Sequence, residues 1–370
     1  MRIERNRKPP RQPEATQISS KMEMDMGMEL KSFIKVWVLA TTCLSYCYYI
    51  TARLPKGVVR LLSILPVIYI FIILPTNLTS FNLCGPTAFF LVWLANFKLL
   101  LFSFDQGPLS PPPPKLFHFI SLACLPIKLK QKTDNDTNPS PHFMPRSLLL
   151  ALKTFVLVLL FHIYSYRQFM HPYVILTLYC LHVYLQLELV LVISAIPARA
   201  LFGFEIEPQF NEPYLATSLQ DFWGHRWNLM VTSILRPTVY HPVRQFSKRL
   251  IGSTWASLPA IIATFVASGL MHEVMYFYLT RVRPTWEVTW FFILHGICVA
   301  IEVALKKVVK DRWQLHRAIS GPLAVIFASI TAFWLFFPQL TRNKVDEQVI
   351  WECSILLNFI KQKVSSCFIS

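Results

Sequence analysis

A histidine and a glutamate stand next to each other inside a long apolar segment of the chain. His272 and Glu273 lie within residues 258–279, where nearly all other side chains are apolar or small. An acidic or basic side chain at the centre of a membrane-spanning helix costs roughly 2.5–3.5 kcal/mol on insertion scales. Imidazole and carboxylate are proton-transfer groups, so the pair indicates either acid–base chemistry or a path for protons.

Small residues accompany the histidine along one side of the same segment. Ala260, Thr264, Ser268 and His272 are spaced four residues apart and form one stripe if the segment is helical, with Gly269 beside it. Such a stripe lets another helix approach closely or leaves room for a ligand. The structural alternative is helix packing, with His272 hydrogen-bonded across the interface.

A second candidate segment, residues 218–228, mixes polar and aromatic side chains. Ser218 and Asp221 resemble a capping box at the start of a helix. If the helix continues, Asp221, His225 and Asn228 share a face. Three aromatic side chains of this segment suit a membrane interface: Phe222, Trp223 and Trp227. The alternative is an interfacial amphipathic helix with no catalytic part.

The composition places these segments in a membrane protein. Of 370 residues, 54% are hydrophobic and 15% are charged, against about 25% charged in soluble domains. We predict an all-α, polytopic membrane protein with about eight transmembrane helices and interfacial helices. The predicted spans are 33–50, 58–79, 83–104, 148–166, 173–196, 257–279, 287–305 and 319–337. The predicted domains are a disordered basic tail at 1–31, a multi-span domain at 32–340 and a C-terminal tail at 341–370.

The charge of the chain predicts an orientation. The formal net charge is +16, and the basic residues lie in short loops between apolar runs, which argues against nucleic-acid binding. The loops after the odd-numbered spans are the richest in lysine and arginine and are therefore predicted to be cytosolic. The same loops can attract a substrate that carries phosphate. The run Pro111–Pro114 predicts an extended start to a linker at 105–147.

Several signatures are missing from the sequence. No histidine is followed by an aspartate or a histidine four residues later, and no GxSxG, Walker A or GxGxxG motif occurs. The eight cysteines show no metal-ligand spacing. We therefore predict no metal and no tightly bound cofactor.

Two motifs together resemble a known superfamily. Residues 221–228, followed by residues 267–273, resemble the membrane-bound O-acyltransferases, and more closely the plant wax synthase group of long-chain-alcohol O-fatty-acyltransferases. Residues 93–98 and 104–109 fit the same group, and the similarity runs from about residue 28 to about residue 338. The aromatic motif departs from the FYxDWWN pattern of the diacylglycerol acyltransferases, because Gly224, His225 and Arg226 precede Trp227 and Asn228.

The resemblance implies both a reaction and its catalytic residues. It implies a catalytic histidine at His272 and a polar partner at Asn228. We expect His272 to act as the general base. The implied reaction moves a fatty acyl group from acyl-CoA to a long-chain fatty alcohol and forms a wax ester. Acyl-CoA is then a substrate, and the implied location is the membrane of the endoplasmic reticulum. If residue 257 marks the cytosolic edge, His272 lies about 23 Å deep, and a cytosolic substrate needs a tunnel to reach it.

Two other functions remain open from the sequence. A sterol O-acyltransferase would use the same chemistry on a different alcohol, and only the shape of the pocket would separate the two. A membrane transporter would use His272 and Glu273 as an intramembrane path. Transporters often contain paired inverted repeats with interrupted helices, and the sequence shows none.

Overall fold

The computed structural model describes residues 12–127, 146–203, 207–309 and 316–355. These residues form helices and loops, and none of the described residues lies in a β-strand. The α-helices, numbered in chain order, are α1 (Gln12–Tyr49), α2 (Val58–Ile73), α3 (Phe81–Ala88), α4 (Asn96–Ser103), α5 (Leu116–Cys124), α6 (Arg146–Ile163), α7 (Pro172–Phe202), α8 (Leu219–Asp221), α9 (Leu229–Leu235), α10 (His241–Trp255), α11 (Ser257–Thr280), α12 (Glu287–Val309), α13 (Arg317–Thr331) and α14 (Pro338–Arg342). Four π-helical segments extend this set, at Phe89–Ala95, Phe222–Arg226, Arg236–Tyr240 and Ala332–Phe336.

The long apolar runs form helices of membrane-spanning length. Eight stretches of the described chain are long and apolar enough to cross a bilayer: Gly27–Arg53, Val58–Asn77, Phe81–Ser103, Ser147–Phe169, Pro172–Leu201, Ser257–Thr280, Glu287–Val309 and Arg317–Phe336. Each contains the roughly 20 residues that a hydrocarbon core of about 30 Å requires. The predicted all-α fold and the eight spans are confirmed.

The third span is the most enclosed element of the bundle. In Phe81–Ser103, 72% of the most apolar window is buried, against at most 50% in any other span. Its Lys98 is fully buried, and the Nζ atom donates to the carbonyl oxygens of Leu122 (2.7 Å) and Leu125 (2.8 Å) at the end of α5. These bonds satisfy carbonyl groups that a helix C-terminus leaves unpaired. The prediction of a linker over 105–147 is therefore wrong at Leu116–Cys124, because α5 packs into the bundle.

Segments from both ends of the sequence meet at the start of the third span. The carboxylate of Glu29 accepts from the backbone N–H of Thr79 and of Ser80, both at 2.7 Å. The carboxylate of Glu352 accepts from the backbone N–H of Phe81 at 2.8 Å. Negative charge is favourable at a helix N-terminus, because the first N–H groups have no partner inside the helix.

These contacts involve the two regions that the sequence predicts to be tails. Within 1–31, α1 already begins at Gln12. Within 341–370, residues 345–355 are helical and carry Glu352. Residues 1–11 and 356–370 lie outside the described residues. The domain boundaries at 32 and 340 stay a prediction.

Helices α11 and α12 form the tightest antiparallel pair. A Cβ atom added to Gly269 of α11 would lie 3.0 Å from the Cα of Thr289 in α12. A Cβ atom added to Gly296 of α12 would lie 2.7 Å from the Cβ of Phe265 in α11. Small residues allow this close approach, as they do between helices in membranes. The sequence predicted that the small residues of α11 let another helix approach closely, and Gly269 confirms this prediction.

Candidate active site

His272 lies in the middle of α11 with one ring nitrogen engaged and the other free. Its Nδ1 atom is 2.8 Å from the carbonyl oxygen of Ser268, one helical turn earlier. A carbonyl oxygen can only accept, so Nδ1 carries the proton and Nε2 keeps its lone pair. Nε2 has no hydrogen-bond partner among the described residues and is not sealed inside the protein. The ring is therefore held in the tautomer that a general base requires.

Aromatic rings surround the imidazole of His272. Phe292 of α12 stacks on it with ring centroids 4.2 Å apart. Trp93 meets it edge-on at 5.1 Å, and Phe336 does so at 6.0 Å. These rings fix the orientation of the imidazole and keep the site apolar, which suits a hydrophobic reactant.

Two of the three rings around His272 come from π-helical segments. Trp93 belongs to Phe89–Ala95 and Phe336 belongs to Ala332–Phe336. A π-helical turn inserts one extra residue, which rotates the side chains that follow and is frequent at functional sites. The irregular backbone of two separate spans thus contributes directly to the surroundings of one histidine.

Glu273 points away from His272 and holds α12. Its side chain is 3% exposed, and Oε1 accepts from the backbone N–H (3.3 Å) and the hydroxyl group (3.2 Å) of Thr289. Adjacent helical residues do not share a face, so the carboxylate does not act on the imidazole of His272. Glu273 is a structural link between α11 and α12.

The aromatic motif begins with the predicted helix cap. The hydroxyl oxygen of Ser218 accepts from the backbone N–H of Asp221 at 3.1 Å. Asp221 accepts from the backbone N–H of Thr217 (3.0 Å) and from Nε of Arg226 (2.7 Å). Burial opposes ionisation of the Asp221 carboxyl, but these hydrogen bonds and the charge of Arg226 hold its pKa below the usual range.

Asn228 does not continue the helix of Asp221 and His225. The segment Phe222–Arg226 is π-helical, and the chain then turns so that Asn228 adopts a left-handed conformation with φ 39°. Its side-chain oxygen accepts from the backbone N–H of Val231 at 3.4 Å and caps α9. The predicted common face is confirmed for Asp221 and His225, whose Oδ1 and Nδ1 atoms lie 3.6 Å apart, and is wrong for Asn228, because the chain leaves the helix after Arg226. The amide nitrogen of Asn228 donates to no described group.

Trp223 connects the aromatic motif to the surroundings of His272. The Trp223 ring lies 5.8 Å from that of Phe292, which stacks on His272. No hydrogen bond or ring contact joins His272 and Asn228 directly among the described residues. The structure therefore links the segment that carries Asn228 to the surroundings of His272 through the rings of Trp223 and Phe292.

A second buried histidine fixes Trp223. His295 is completely buried, and its Nδ1 accepts from Nε1–H of Trp223 at 3.0 Å. Its Nε2 lies 2.9 Å from the hydroxyl oxygen of Thr331, which in turn donates to the carbonyl oxygen of Phe327 at 2.7 Å. Nε2 of His295 is therefore the donor to Thr331. Both nitrogens are satisfied, so His295 is a structural residue.

A charged cluster within the bundle holds the loop before the aromatic motif. Lys153, which interrupts the fourth span, donates to Glu188 at 2.9 Å and to Glu212 at 3.2 Å. The three side chains are between 11% and 19% exposed. Arg226 of the motif donates to the carbonyl oxygens of Asn211 and Glu212. The cluster thereby ties α6 and α7 to the segment that carries Asn228.

Sequence reasoning missed the residues that act through three-dimensional contacts. His295 gives the same signal as His272, an ionisable residue in an apolar run, and only the hydrogen bonds separate them. Trp93 and Phe336 occupy π-helical turns, for which the sequence offers no periodic pattern. A signal for α12 did exist, since Thr289, Phe292 and Gly296 recur at helical spacing and face α11.

Comparison with known proteins agrees with this geometry. The Membrane bound O-acyl transferase family matches residues 206–294, which include both Asn228 and His272. A protein named probable long-chain-alcohol O-fatty-acyltransferase 1, from Arabidopsis thaliana, is 50% identical over 92% of this chain and 100% of its own length. The long-chain-alcohol O-fatty-acyltransferase of Simmondsia chinensis is 48% identical over 92% of this chain and 98% of its own length.

The eight membrane-spanning helices together with the family match and the similar relatives define the class of protein, a membrane-bound O-acyltransferase. At half identity over nearly the whole length of these relatives, the chain belongs to the family of long-chain-alcohol O-fatty-acyltransferases, the wax synthases.

Proposed function

We propose that this protein transfers a fatty acyl group from acyl-CoA to a long-chain fatty alcohol and forms a wax ester, with His272 as the general base. The supporting observation is the hydrogen bond from Nδ1 of His272 to the carbonyl oxygen of Ser268. That bond leaves Nε2 as the only proton acceptor of the ring, inside an apolar aromatic enclosure.

The reaction requires two proton transfers, one to Nε2 of His272 and one from it. Nε2 of His272 removes the hydroxyl proton of the alcohol, and the alcohol oxygen attacks the carbonyl carbon of the thioester. The carbon–sulfur bond then breaks, and the proton on Nε2 passes to the departing CoA sulfur. General-base catalysis contributes typically about 10²–10⁴-fold to such a step. The Ser268 carbonyl oxygen stabilises the imidazolium that exists between the two transfers.

Asn228 supplies the electrophilic part of the proposal. Its side-chain oxygen caps α9, whereas its side-chain NH₂ group donates to no described residue. A hydrogen bond from this amide to the thioester oxygen would strengthen as negative charge develops there. The left-handed backbone at Asn228 fixes the amide at the start of α9.

Acyl-CoA acts as a co-substrate in this scheme, and the residues do the chemistry without a bound cofactor. The acyl chain and the alcohol partition into the bilayer, whereas the phosphates of CoA remain at the basic loops predicted to be cytosolic. An apolar site also excludes water, which would hydrolyse the thioester. For a multi-pass membrane protein with lipid substrates, we place the enzyme in the endoplasmic reticulum.

The acceptor is tested by a screen of alcohols. Microsomes containing the protein are given radiolabelled acyl-CoA with a long-chain fatty alcohol, a sterol or a diacylglycerol. We expect label in wax ester, with little in the sterol ester or triacylglycerol. Preferential labelling of the sterol ester would show that the acceptor is a sterol rather than a fatty alcohol. If none of the three esters is labelled in microsomes that contain the inserted protein, the proposal as a whole is contradicted.

A further inference from the structure

Helix α10 lies on the outside of the bundle, directly before the sixth span. Ser247 is the only side chain buried in the helix. At Gly252 the backbone turns to φ 80° and ψ 168°, which breaks the helix before α11 begins. Glycine allows this conformation without a steric penalty. The break lets α10 run in a different direction from the span that follows it.

The exposed residues of α10 separate into two faces. Val243, Phe246 and Leu250 follow one another at helical spacing, and Phe246 and Leu250 remain 63% and 70% exposed. Arg244 and Lys248 lie on the opposite side of the helix, Arg249 flanks the apolar face next to Phe246, and all three cations are exposed. An apolar face next to a basic face is the pattern of a helix that lies in the plane of a membrane interface.

The cations of α10 have no counterion among the residues that the structure describes. No aspartate or glutamate occurs between Leu229 and His272 in the sequence. In the part of the chain that the structure describes, Arg244, Lys248 and Arg249 take part in no ion pair and no hydrogen bond. These three exposed and unpaired positive charges are available to bind an external anion.

The end of α10 is hydrogen-bonded to α12, the helix whose Phe292 stacks on His272. Lys307 of α12 donates from Nζ to the hydroxyl group of Ser257 at 2.7 Å and to the carbonyl oxygen of Thr254. The same ammonium group lies 6.0 Å from the centroid of the Trp255 ring. These contacts hold the corner between α10 and α11 at the membrane edge of the α11–α12 pair.

We propose that α10 binds anionic lipid headgroups of the cytosolic leaflet through Arg244, Lys248 and Arg249. The side chains of Phe246 and Leu250 enter the acyl region, and the three cations lie at the level of the lipid phosphates. The cytosolic side follows from the predicted orientation of the loop after the fifth span. The bound lipid anchors the start of α11, fifteen residues before His272.

Native mass spectrometry of the whole protein tests this lipid site. The protein in neutral detergent is offered equal amounts of phosphatidylserine and phosphatidylcholine, and the retained lipids are counted. We expect the unmodified protein to retain phosphatidylserine preferentially. In the triple variant R244Q/K248Q/R249Q this preference falls by about tenfold or more, since each cation near an anionic surface contributes roughly a fivefold factor. A triple variant that keeps the full preference would overturn the proposal.

The matched control removes three exposed cations on the side predicted to be luminal. The variant K31Q/R283Q/K344Q has the same net charge as the α10 variant, and it is expected to keep the preference for phosphatidylserine. An equal loss in both variants would show an effect of net charge only and would contradict a site on α10.

Enzyme kinetics separate the lipid from the phosphates of CoA as the bound anion. The KM for acyl-CoA is measured for both triple variants in vesicles with and without phosphatidylserine. If lipid is the ligand, any change in the α10 variant appears only in vesicles that contain phosphatidylserine. A rise in KM of the same size in neutral vesicles would assign the cations to CoA and overturn the lipid site.

Discussion

His272 of α11 and His295 of α12 lie on two neighbouring helices, yet their hydrogen bonds give them different functions. His295 uses both nitrogens, one for the indole of Trp223 and one for the hydroxyl group of Thr331. His272 uses only Nδ1. A ring with both nitrogens satisfied cannot accept a proton from a substrate without losing a buried hydrogen bond, which costs about 1–3 kcal/mol. The sequence shows two histidines in apolar runs, and only their partners tell which one is available.

Asn228 has two functions in this account, and one substitution separates them. In Asn228→Asp the carboxylate still accepts from the backbone N–H of Val231 and tolerates the left-handed backbone, but it has no N–H to donate. We expect the thermal unfolding temperature to remain unchanged. The turnover number falls about 10²–10³-fold, as for the loss of one oxyanion donor.

The comparison variant for this position is Asn228→Ala, which loses both the cap and the donor. It is expected to be less stable by about 1 kcal/mol and to lose about 10²–10³-fold in turnover, as Asn228→Asp does. Full activity of Asn228→Asp would restrict Asn228 to capping α9. The sequence pointed to this residue by helical spacing and by the resemblance. Only the resemblance still supports it, because Asn228 has left the helix face on which the spacing placed it.

At the scale of elements, regular spans were predictable and their irregular turns were not. Long apolar runs bounded by loops suffice to locate the spans, because bilayer thickness sets a minimum length. The π-helical turns that bring Trp93 and Phe336 to His272 depend on one inserted residue each. Whether a helix accommodates that residue depends on the packing around it, which local sequence does not encode.

The contact between α11 and α12 predicts a packing defect from one methyl group. In Gly296→Ala the new Cβ would lie 2.7 Å from Cβ of Phe265, so the helices must separate. Overpacking of this kind costs typically about 1–3 kcal/mol. We expect a lower unfolding temperature in detergent and reduced acyl transfer, because the same pair of helices positions His272.

Gly224→Ala is the control for this prediction. No heavy atom outside the immediate chain lies within 4 Å of a Cβ atom added at Gly224. This variant should therefore unfold at the temperature of the unmodified protein. Equal stability of the two alanine variants would show that α11 and α12 do not approach as closely as described.

For the whole molecule, the contacts between distant parts of the sequence lay beyond what its pattern could reveal. Glu29 and Glu352 both accept from backbone groups at the start of the third span. A carboxylate in an apparently polar tail gives no indication of such a partner. The orientation in the membrane, in contrast, rests on the sequence alone, through the basic loops after the odd-numbered spans.

Glycosylation of the native chain tests that orientation. Asn135, Asp136 and Thr137 match a glycosylation sequon and lie in the loop after the third span, outside the described residues. If the loop is cytosolic, the sequon never meets the glycosylation machinery. Endoglycosidase treatment of microsomal protein should then leave its electrophoretic mobility unchanged, while a co-expressed luminal glycoprotein shifts. Removal of a glycan from Asn135 would reverse the assignment of the loops.

The most direct test of the account is the rate of ester formation by His272→Ala, measured beside His162→Ala. His162 is an exposed histidine of the fourth span and has no place in the proposed chemistry. With radiolabelled acyl-CoA and a saturating fatty alcohol, His272→Ala should lose about 10²–10⁴-fold in turnover. It should still insert into the membrane at normal levels, and His162→Ala should keep the unmodified rate. Turnover of His272→Ala at the rate of His162→Ala would contradict the claim that Nε2 of His272 accepts the proton of the alcohol.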